Sequence, residues 1–423
     1  MERMDQSAEA QLQVRFVTKQ ETYAVPDVPF SVPQNIDTSR LNKLLNELLR
    51  ENAELLKPTE FDFLVLGQLL RVPLIEHLQE FNESIEATVE IEYVQRTPAP
   101  EPEDALLHDD WISGIQVADK WVLTGCYDQT INIWTTRGKH QVSAREHTNI
   151  VKAVCWLKQG DPSGGFVTVS HDLTGIIWKW EPSEEQPKPV TVLRGHERGI
   201  DAVGVSSNSE RLATGGWDTY LKLWSASLDV EDCYEPFHKK IRGVQGKATI
   251  ARTPLHTLKG HKESIVAIQW SESDTICTAS MDHTLKLWDA ELCGLRNEVV
   301  AEKAFLGASW SPLSRTIITC SADRHIRLYD PRSTEGSVCK TLFTSHTLWV
   351  SAVTWSQHNE HLFMSGSYDE CVKLWDTRCP RAPLYDLSGH EGKVLCVDWS
   401  NPKHLVSGGT DNSVHIFKNR QFN

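Results

Sequence analysis

One acid recurs along this chain with its neighbours at fixed distances. Asp128, Asp172, Asp218, Asp282, Asp323, Asp369 and Asp411 are each preceded at four residues by a small hydroxyl: Thr124, Thr168, Thr214, Thr278, Thr319, Ser365 and Ser407. Each is followed at six by an aromatic: Trp134, Trp178, Trp224, Trp288, Tyr329, Trp375 and Phe417. Agreement in seven copies of seven at both offsets excludes coincidence. The spacing, roughly 40 to 46 residues apart from one long interval, is that of a repeated supersecondary unit. A second register lies upstream, where His108, His147, His196, His261, His346 and His390 each precede an Ile or Val by four residues, while Ala301 stands at that place in the fifth copy. Between the anchors apolar residues alternate with polar or small ones, as in IVAIQW, LATGGW and LKLW. That is the period-two pattern of half-buried strands.

Each copy therefore supplies about four short strands, and four-stranded sheets repeated around an axis make a β-propeller. Glycine–histidine pairs at Gly195–His196, Gly260–His261 and Gly389–His390, with Trp–Asp pairs at Trp288–Asp289 and Trp375–Asp376, resemble the WD-repeat family. The resemblance covers roughly residues 104 to 418 and implies a seven-bladed ring. It also implies that each histidine bonds the turn aspartate and the strand hydroxyl, which meets the indole N–H, so that the polar groups inside a blade satisfy one another. A residue repeated once per blade is a folding device, which weighs against reading these His and Asp residues as metal ligands or catalytic pairs. A repeat unit of this family begins with the outer strand of the preceding blade, so 104–107 is expected to close the seventh blade and remove an exposed sheet edge. Asp218 and Asp282 are 64 residues apart, which places an insertion at about 227–253. It begins acidic (Asp229, Glu231, Asp232, Glu235) and turns basic (His238, Lys239, Lys240, Arg242, Lys247, Arg252). A solvated loop is the plain reading, and a nuclear-import or RNA-phosphate patch the sharper one.

Composition narrows the class. No stretch approaches the roughly 18 apolar residues of a spanning helix, and the N-terminus lacks the apolar core of a signal peptide, so a soluble intracellular protein with no membrane association is expected. The ten cysteines include no C-x-x-C pair, which argues against a zinc site and for reduced, packed thiols. No cofactor is expected. A net charge of −14 speaks against a bulk electrostatic grip on nucleic acid but leaves room for a local basic patch, and direct RNA contact stays open. Residues 1–100 hold 17 acids against 9 Lys and Arg but none of the 15 tryptophans, and RTPAPEPED follows, so a separate domain over 11–95 and a Pro-rich linker over 96–103 are expected.

Within 11–95 the pattern predicts strands LQVRFVT and YAVPDVPFSV, a helix, strand FDFLVLG with LLR, a short helix, and strand ATVEIEYV. The helix runs from about Thr38 to Asn52, capped by Thr38 or Ser39, with Leu41, Leu44, Leu45, Leu48 and Leu49 on one face. A mixed sheet crossed by one helix is the ubiquitin-like plan. The whole is then mainly β: a seven-bladed WD-repeat propeller preceded by a small α+β ubiquitin-like domain.

This order of domains, with FDFL, LLR and an HDDWI opening to the ring, resembles the family of WD-repeat subunits of the PeBoW complex in large-subunit ribosome assembly, whose N-terminal domain is of the NLE type. Notchless shares the plan with a longer, eight-bladed propeller. The resemblance implies a non-enzymatic scaffold in the nucleus, nucleolus and nucleoplasm. Its propeller would dock on the block-of-proliferation subunit bound to pescadillo on pre-ribosomal large-subunit particles. Its ubiquitin-like domain would be gripped by the metal-dependent domain of the AAA ATPase midasin. The acid that bridges to midasin's metal aligns at Glu86, with Glu83 the runner-up; the plain reading is one acid on a solvated edge with Glu90 and Glu92. Tyr127, Trp217, Trp349 and Tyr368 are candidate contacts on the propeller, since exposed aromatics anchor interfaces. An alternative is a substrate receptor of a cullin-ring ubiquitin ligase, from the W-D-x-R sequence of Trp375 to Arg378 and the similar Tyr329 to Arg332. No Gly-rich phosphate loop, G-x-S-x-G or H-E-x-x-H points to an enzyme.

Overall fold

The computed structural model describes residues 11–53, 58–80, 88–158, 161–228, 241–242, 248–272, 274–332 and 339–420. The chain divides into two compact units, Met1–Pro98 and Ala99–Asn423.

The first unit is a five-stranded sheet in the order Phe30–Pro33, Gln11–Val17, Val89–Gln95, Phe61–Val65, Gln68–Leu69. Gln11–Val17 and Val89–Gln95 pair in parallel; the other neighbours are antiparallel. The expected strand over 23–32 shrinks to Phe30–Pro33, because Pro26 and Pro29 cannot donate to a ladder. Helix Thr38–Ala53 lays Leu41, Leu45 and Leu49 on Phe16, Phe61, Phe63, Ile91 and Tyr93. Its cap is Asp37, one residue before the expected position: Oδ1 accepts from the Arg40 N–H at 2.8 Å. Two helix asparagines then tie down the chain entering the third strand. Asn42 exchanges hydrogen bonds with the Phe61 backbone (2.7 and 2.9 Å), and Asn46 does the same with Thr59 (2.9 and 2.8 Å).

In the second unit seven sheets stand in a ring, and we number them blades 1 to 7 along the chain. Their innermost strands are Ile112–Ala118, Val151–Lys158, Ile200–Val205, Ile265–Glu272, Phe305–Trp310, Val350–Trp355 and Val394–Asp398. Each touches the next, and the seventh touches the first. Glycine makes this approach possible in several blades: a Cβ at Gly366 would lie 2.5 Å from Val394 Cγ1, and one at Gly408 2.8 Å from Ile112 Cγ2. Side chains facing the axis bind forward to the next blade. Gln116 Oε1 accepts from the Trp156 N–H (2.6 Å), Ser309 Oγ from the Trp355 N–H (3.1 Å) and Asp398 Oδ2 from the Val117 N–H (2.9 Å). The last of these crosses the junction of blades 7 and 1. Burial there pushes the Asp398 carboxyl up to about 6, against the pull of hydrogen bonds from Ser400 and Val117.

Strand Glu101–Leu107 pairs antiparallel with Ser413–Lys418 and completes blade 7. It begins three residues earlier than the sequence pattern indicated, so Glu101–Glu103, read as linker from their prolines, belong to the ring. Pro102 is accommodated because it stands on an outermost strand, beside a register shift.

Part of the insertion is sheet rather than solvated loop. Ala248–Arg252 pairs in parallel with the outer strand of blade 2, Lys188–Arg194, and Ile241–Arg242 pairs with Ala248–Arg252. Arg252, counted in the basic run, is buried and donates to the Ser225 and Ser227 carbonyls at 2.6 and 3.2 Å. Its charge is therefore committed to backbone. His238, Lys239, Lys240 and Lys247 lie outside the described residues.

Candidate functional site

Four blades carry the complete polar network. In blade 2, His147 Nδ1 lies 2.9 Å from Asp172 Oδ2, Nε2 lies 2.8 Å from Thr168 Oγ1, and the Trp178 indole N–H donates to the same Oγ1 at 2.9 Å. Blade 3 repeats this with His196, Asp218, Thr214 and Trp224, all at 2.7 Å. Blade 4 uses His261, Asp282, Thr278 and Trp288 (2.9, 2.7 and 2.8 Å). Blade 6 uses His346, Asp369, Ser365 and Trp375 (2.9, 2.8 and 2.8 Å). A carboxylate only accepts, so Nδ1 carries the proton, the hydroxyl donates to Nε2, and its lone pair receives the indole. Burial alone would raise these aspartates. The histidine bonds and a backbone N–H overcome it, holding Asp172 at about 2 and moving Asp218, Asp282, Asp369 and Asp411 below their ordinary value.

Three blades depart from the pattern. In blade 1, His108 reaches Thr124 (3.0 Å) and the Leu106 carbonyl (3.3 Å), while Asp128 is taken up by Thr130 (2.6 Å). The expected His108–Asp128 bond is not formed: the His108 backbone is tied to Asn412 of blade 7 (2.8 Å), and its ring follows the closing strand. In blade 7, His390 bonds Asp411 (2.8 Å) and Ser407 (2.7 Å), but Phe417 has no N–H to add, and His415 lies against the His390 ring at 4.3 Å. Among the described residues, His390, Asp411 and His415 are the one group whose potential ligand atoms lie within 4.8 Å of one another. Both His390 nitrogens are already engaged, which makes the cluster structural. In blade 5, where Ala301 replaces histidine, Asp323 is gripped by Arg327 at 2.7 and 3.2 Å. The sequence showed the loss and not the replacement.

The aromatic candidates gather at the end of the ring where the inner strands begin. Trp349, half-exposed, stacks on Tyr368 at 6.1 Å, and Lys393 of blade 7 lies 4.9 Å over Tyr368. Blade 1 repeats the arrangement with Trp111 against Tyr127 at 5.4 Å and Lys152 of blade 2 at 5.8 Å. Trp111 was not singled out from sequence, although it stands three residues after His108 as Trp349 does after His346. Trp217 is half-exposed beside His171, which bonds Asp201 at 2.7 Å.

The W-D-x-R sequence forms a local lock: Arg378 grips Asp376 through Nε (2.9 Å) and Nη2 (2.7 Å), and Arg332 holds Asp330 the same way (2.9 and 2.9 Å). Glu83 and Glu86 lie outside the described residues. Val17, Leu64, Leu66, Leu78 and Val89 line a hollow of about 440 Å³ that Thr88 borders, with Lys19, Glu90 and Glu92 around it.

The profile of the NLE (NUC135) domain family matches residues 12–78, and that of the WD domain, G-beta repeat, matches 106–135, 187–225, 252–289, 302–330, 337–376 and 381–418. The six matched segments and the sheet at Val151–Lys179 between them agree with the seven blades of the ring. The chain is thus a WD-repeat protein with an NLE domain in front. It is 50% identical over 413 residues (98% of this chain, 96% of the relative) to "Ribosome biogenesis protein WDR12 homolog" of Drosophila virilis. It is 47% identical over 415 residues (98% and 96%) to the protein of the same name from Aedes aegypti. The chain belongs to the WDR12 family of ribosome-biogenesis proteins.

Proposed function

We propose that this protein is a non-enzymatic assembly factor of the large ribosomal subunit, acting in the nucleus, nucleolus and nucleoplasm in support of pre-rRNA processing. Its ring scaffolds the block-of-proliferation subunit and pescadillo, and its NLE domain offers Glu86 to the metal ion of midasin, whose ATP hydrolysis releases the complex from pre-ribosomal particles. The observation that supports this reading is kinship at about half identity across both units, so the relatives share the pairing of this domain with this ring. A hard divalent ion with an open position takes a carboxylate oxygen, and a carboxamide is a poor substitute.

A tagged chain purified from nuclear extract should bring down pescadillo, midasin and large-subunit precursors. Glu86→Gln should enter pre-ribosomes normally and accumulate there, and metal-dependent binding of the NLE domain to midasin should be lost with a chelator. Release of Glu86→Gln at the parent's rate, or chelator-resistant binding, would remove the metal bridge. Recovery of a cullin adaptor in place of pescadillo would favour the ubiquitin-ligase alternative.

A further inference from the structure

At the opposite end of the ring from the aromatic turns, a groove of about 1050 Å³ opens between blades 7 and 1. Five cationic side chains line it, Lys120, Arg137, Lys139, Lys403 and Lys418, against two carboxylates, Glu103 and Asp119. Four of the five are exposed, and among the described residues none of them has an acidic partner. Glu103 Oε2 lies 3.3 Å from His404 Nε2; burial lowers the His404 pKa, so the imidazole is neutral and the carboxylate keeps its charge. Even with Asp104 of the closing strand counted beside Glu103 and Asp119, a surplus of two positive charges in one hollow is out of keeping with a chain of net charge −14. Ring closure creates it. The turn carrying Arg137 and Lys139 lies against the closing strand because residue 138 is glycine, at φ +78°, where a Cβ would stand 1.9 Å from Asp104 Oδ2.

We infer that this groove binds the sugar–phosphate backbone of RNA. Lys120 rests 5.5 Å over the Trp121 ring, but among the described residues none of the five cations is matched by a carboxylate; clustered in this way they repel one another, and a polyanion relieves that while releasing its own counterions. The remaining lining says which polyanion. A peptide-docking site presents large apolar or aromatic anchors, whereas Val117 and Trp121, the bulky apolar side chains of this lining, are 1% and 6% exposed. Asn401, Thr135 and Gln141 add neutral donors able to bond phosphate oxygens. Without an exposed aromatic platform the groove reads backbone and not bases, so binding is independent of sequence. The choice of RNA rests on the family's part in ribosome biogenesis, and the binding stands or falls apart from the midasin bridge.

The test uses the full chain and a short labelled RNA hairpin, with affinity measured between about 50 and 200 mM salt. The triple variant Lys120→Ala, Arg137→Ala, Lys403→Ala should weaken binding about tenfold or more at the low end and reduce the log–log salt slope by roughly 2 to 3. Lys120→Arg with Lys403→Arg should bind as the parent does. A control triple at the other end of the ring, Lys262→Ala, Lys303→Ala, Arg324→Ala, should change neither quantity. An unchanged melting temperature confirms that the groove variant folds. No hairpin binding by the parent at about 50 mM salt, or equal losses in both triples, would overturn the inference. So would poly-glutamate binding at least as tightly as the hairpin and being lost in the groove triple, which would make the groove a site for acidic protein segments.

Discussion

In blade 6 the carboxylate of Asp369 is held by a histidine 23 residues upstream; in blade 5 the equivalent Asp323 is held by Arg327, four residues downstream. Both arrangements satisfy a half-buried charge, but they connect different things. His346 arrives on the loop that enters the blade, and the Thr347 N–H adds a second bond to Asp369 at 2.9 Å, so loop, turn and strand are joined. Arg327 sits on the same hairpin as its acid and ties the turn to itself. Satisfying a buried polar group is one task, and linking segments distant in sequence is another; blade 5 does the first without the second.

The largest effect should come from removing the linkage that no polar network supplies. A ring beginning at Trp111 loses the closing strand, with its ladder and the buried Leu106, and should be less stable than one beginning at Thr97 by on the order of 5 kcal/mol, with lower solubility. Equal melting temperatures would show that closure by this strand adds nothing. Next comes His346→Ala. It takes away the charge-balancing partner of Asp369 and the acceptor of the Ser365 hydroxyl in a buried site and should cost about 2 to 4 kcal/mol in denaturant unfolding, against about 1 to 2 for Arg327→Ala. A larger cost in blade 5 would reverse the comparison.

Acidity separates the blades from their junction. The network aspartates have folded values below the unfolded one, so their stabilisation is present above about pH 4 and is lost as the pH falls toward 2. Asp398 has the opposite sign. Its folded value is raised to about 6, so its contribution is greatest below about pH 4 and declines as the pH rises through 6. Asp398→Asn should therefore flatten the melting temperature between about pH 4 and 6 and leave the acid limb below pH 4 in place. The smallest effect is local. Amide exchange in residues 305–329 should be about fivefold faster than in 350–376, as a missing linkage worth about 1 kcal/mol allows. Equal protection would mean that Arg327 replaces the histidine fully.

What could be read in the sequence was whatever repeats. The histidines, hydroxyls and aspartates stood out because they recur at fixed spacing in copy after copy, and the helix face of Leu41, Leu45 and Leu49 because its period is regular. Single events were hidden. Arg327 carries no signal until Asp323 is seen across the turn, and His108 matches the pattern while its ring is turned toward the closing strand. Arg252 looked like part of a basic run because sequence does not show the carbonyls of Ser225 and Ser227 waiting for it. The basic groove was least legible, since it is assembled from segments around residues 120, 138, 403 and 418 that meet only when the ring closes.

That closure also has a history in time. The strand Glu101–Leu107 leaves the ribosome before every other strand of the ring, and its partner Ser413–Lys418 leaves after all of them. At about 5 to 20 residues per second the first waits roughly 15 to 60 s for the second, its hydrogen-bonding edge open throughout. Its acidic run Glu101, Glu103 and Asp104 is the kind of charge that discourages the wrong pairing during such a wait. The last act of folding thus joins the two ends of the propeller chain and, in the same movement, brings the cations of the groove together.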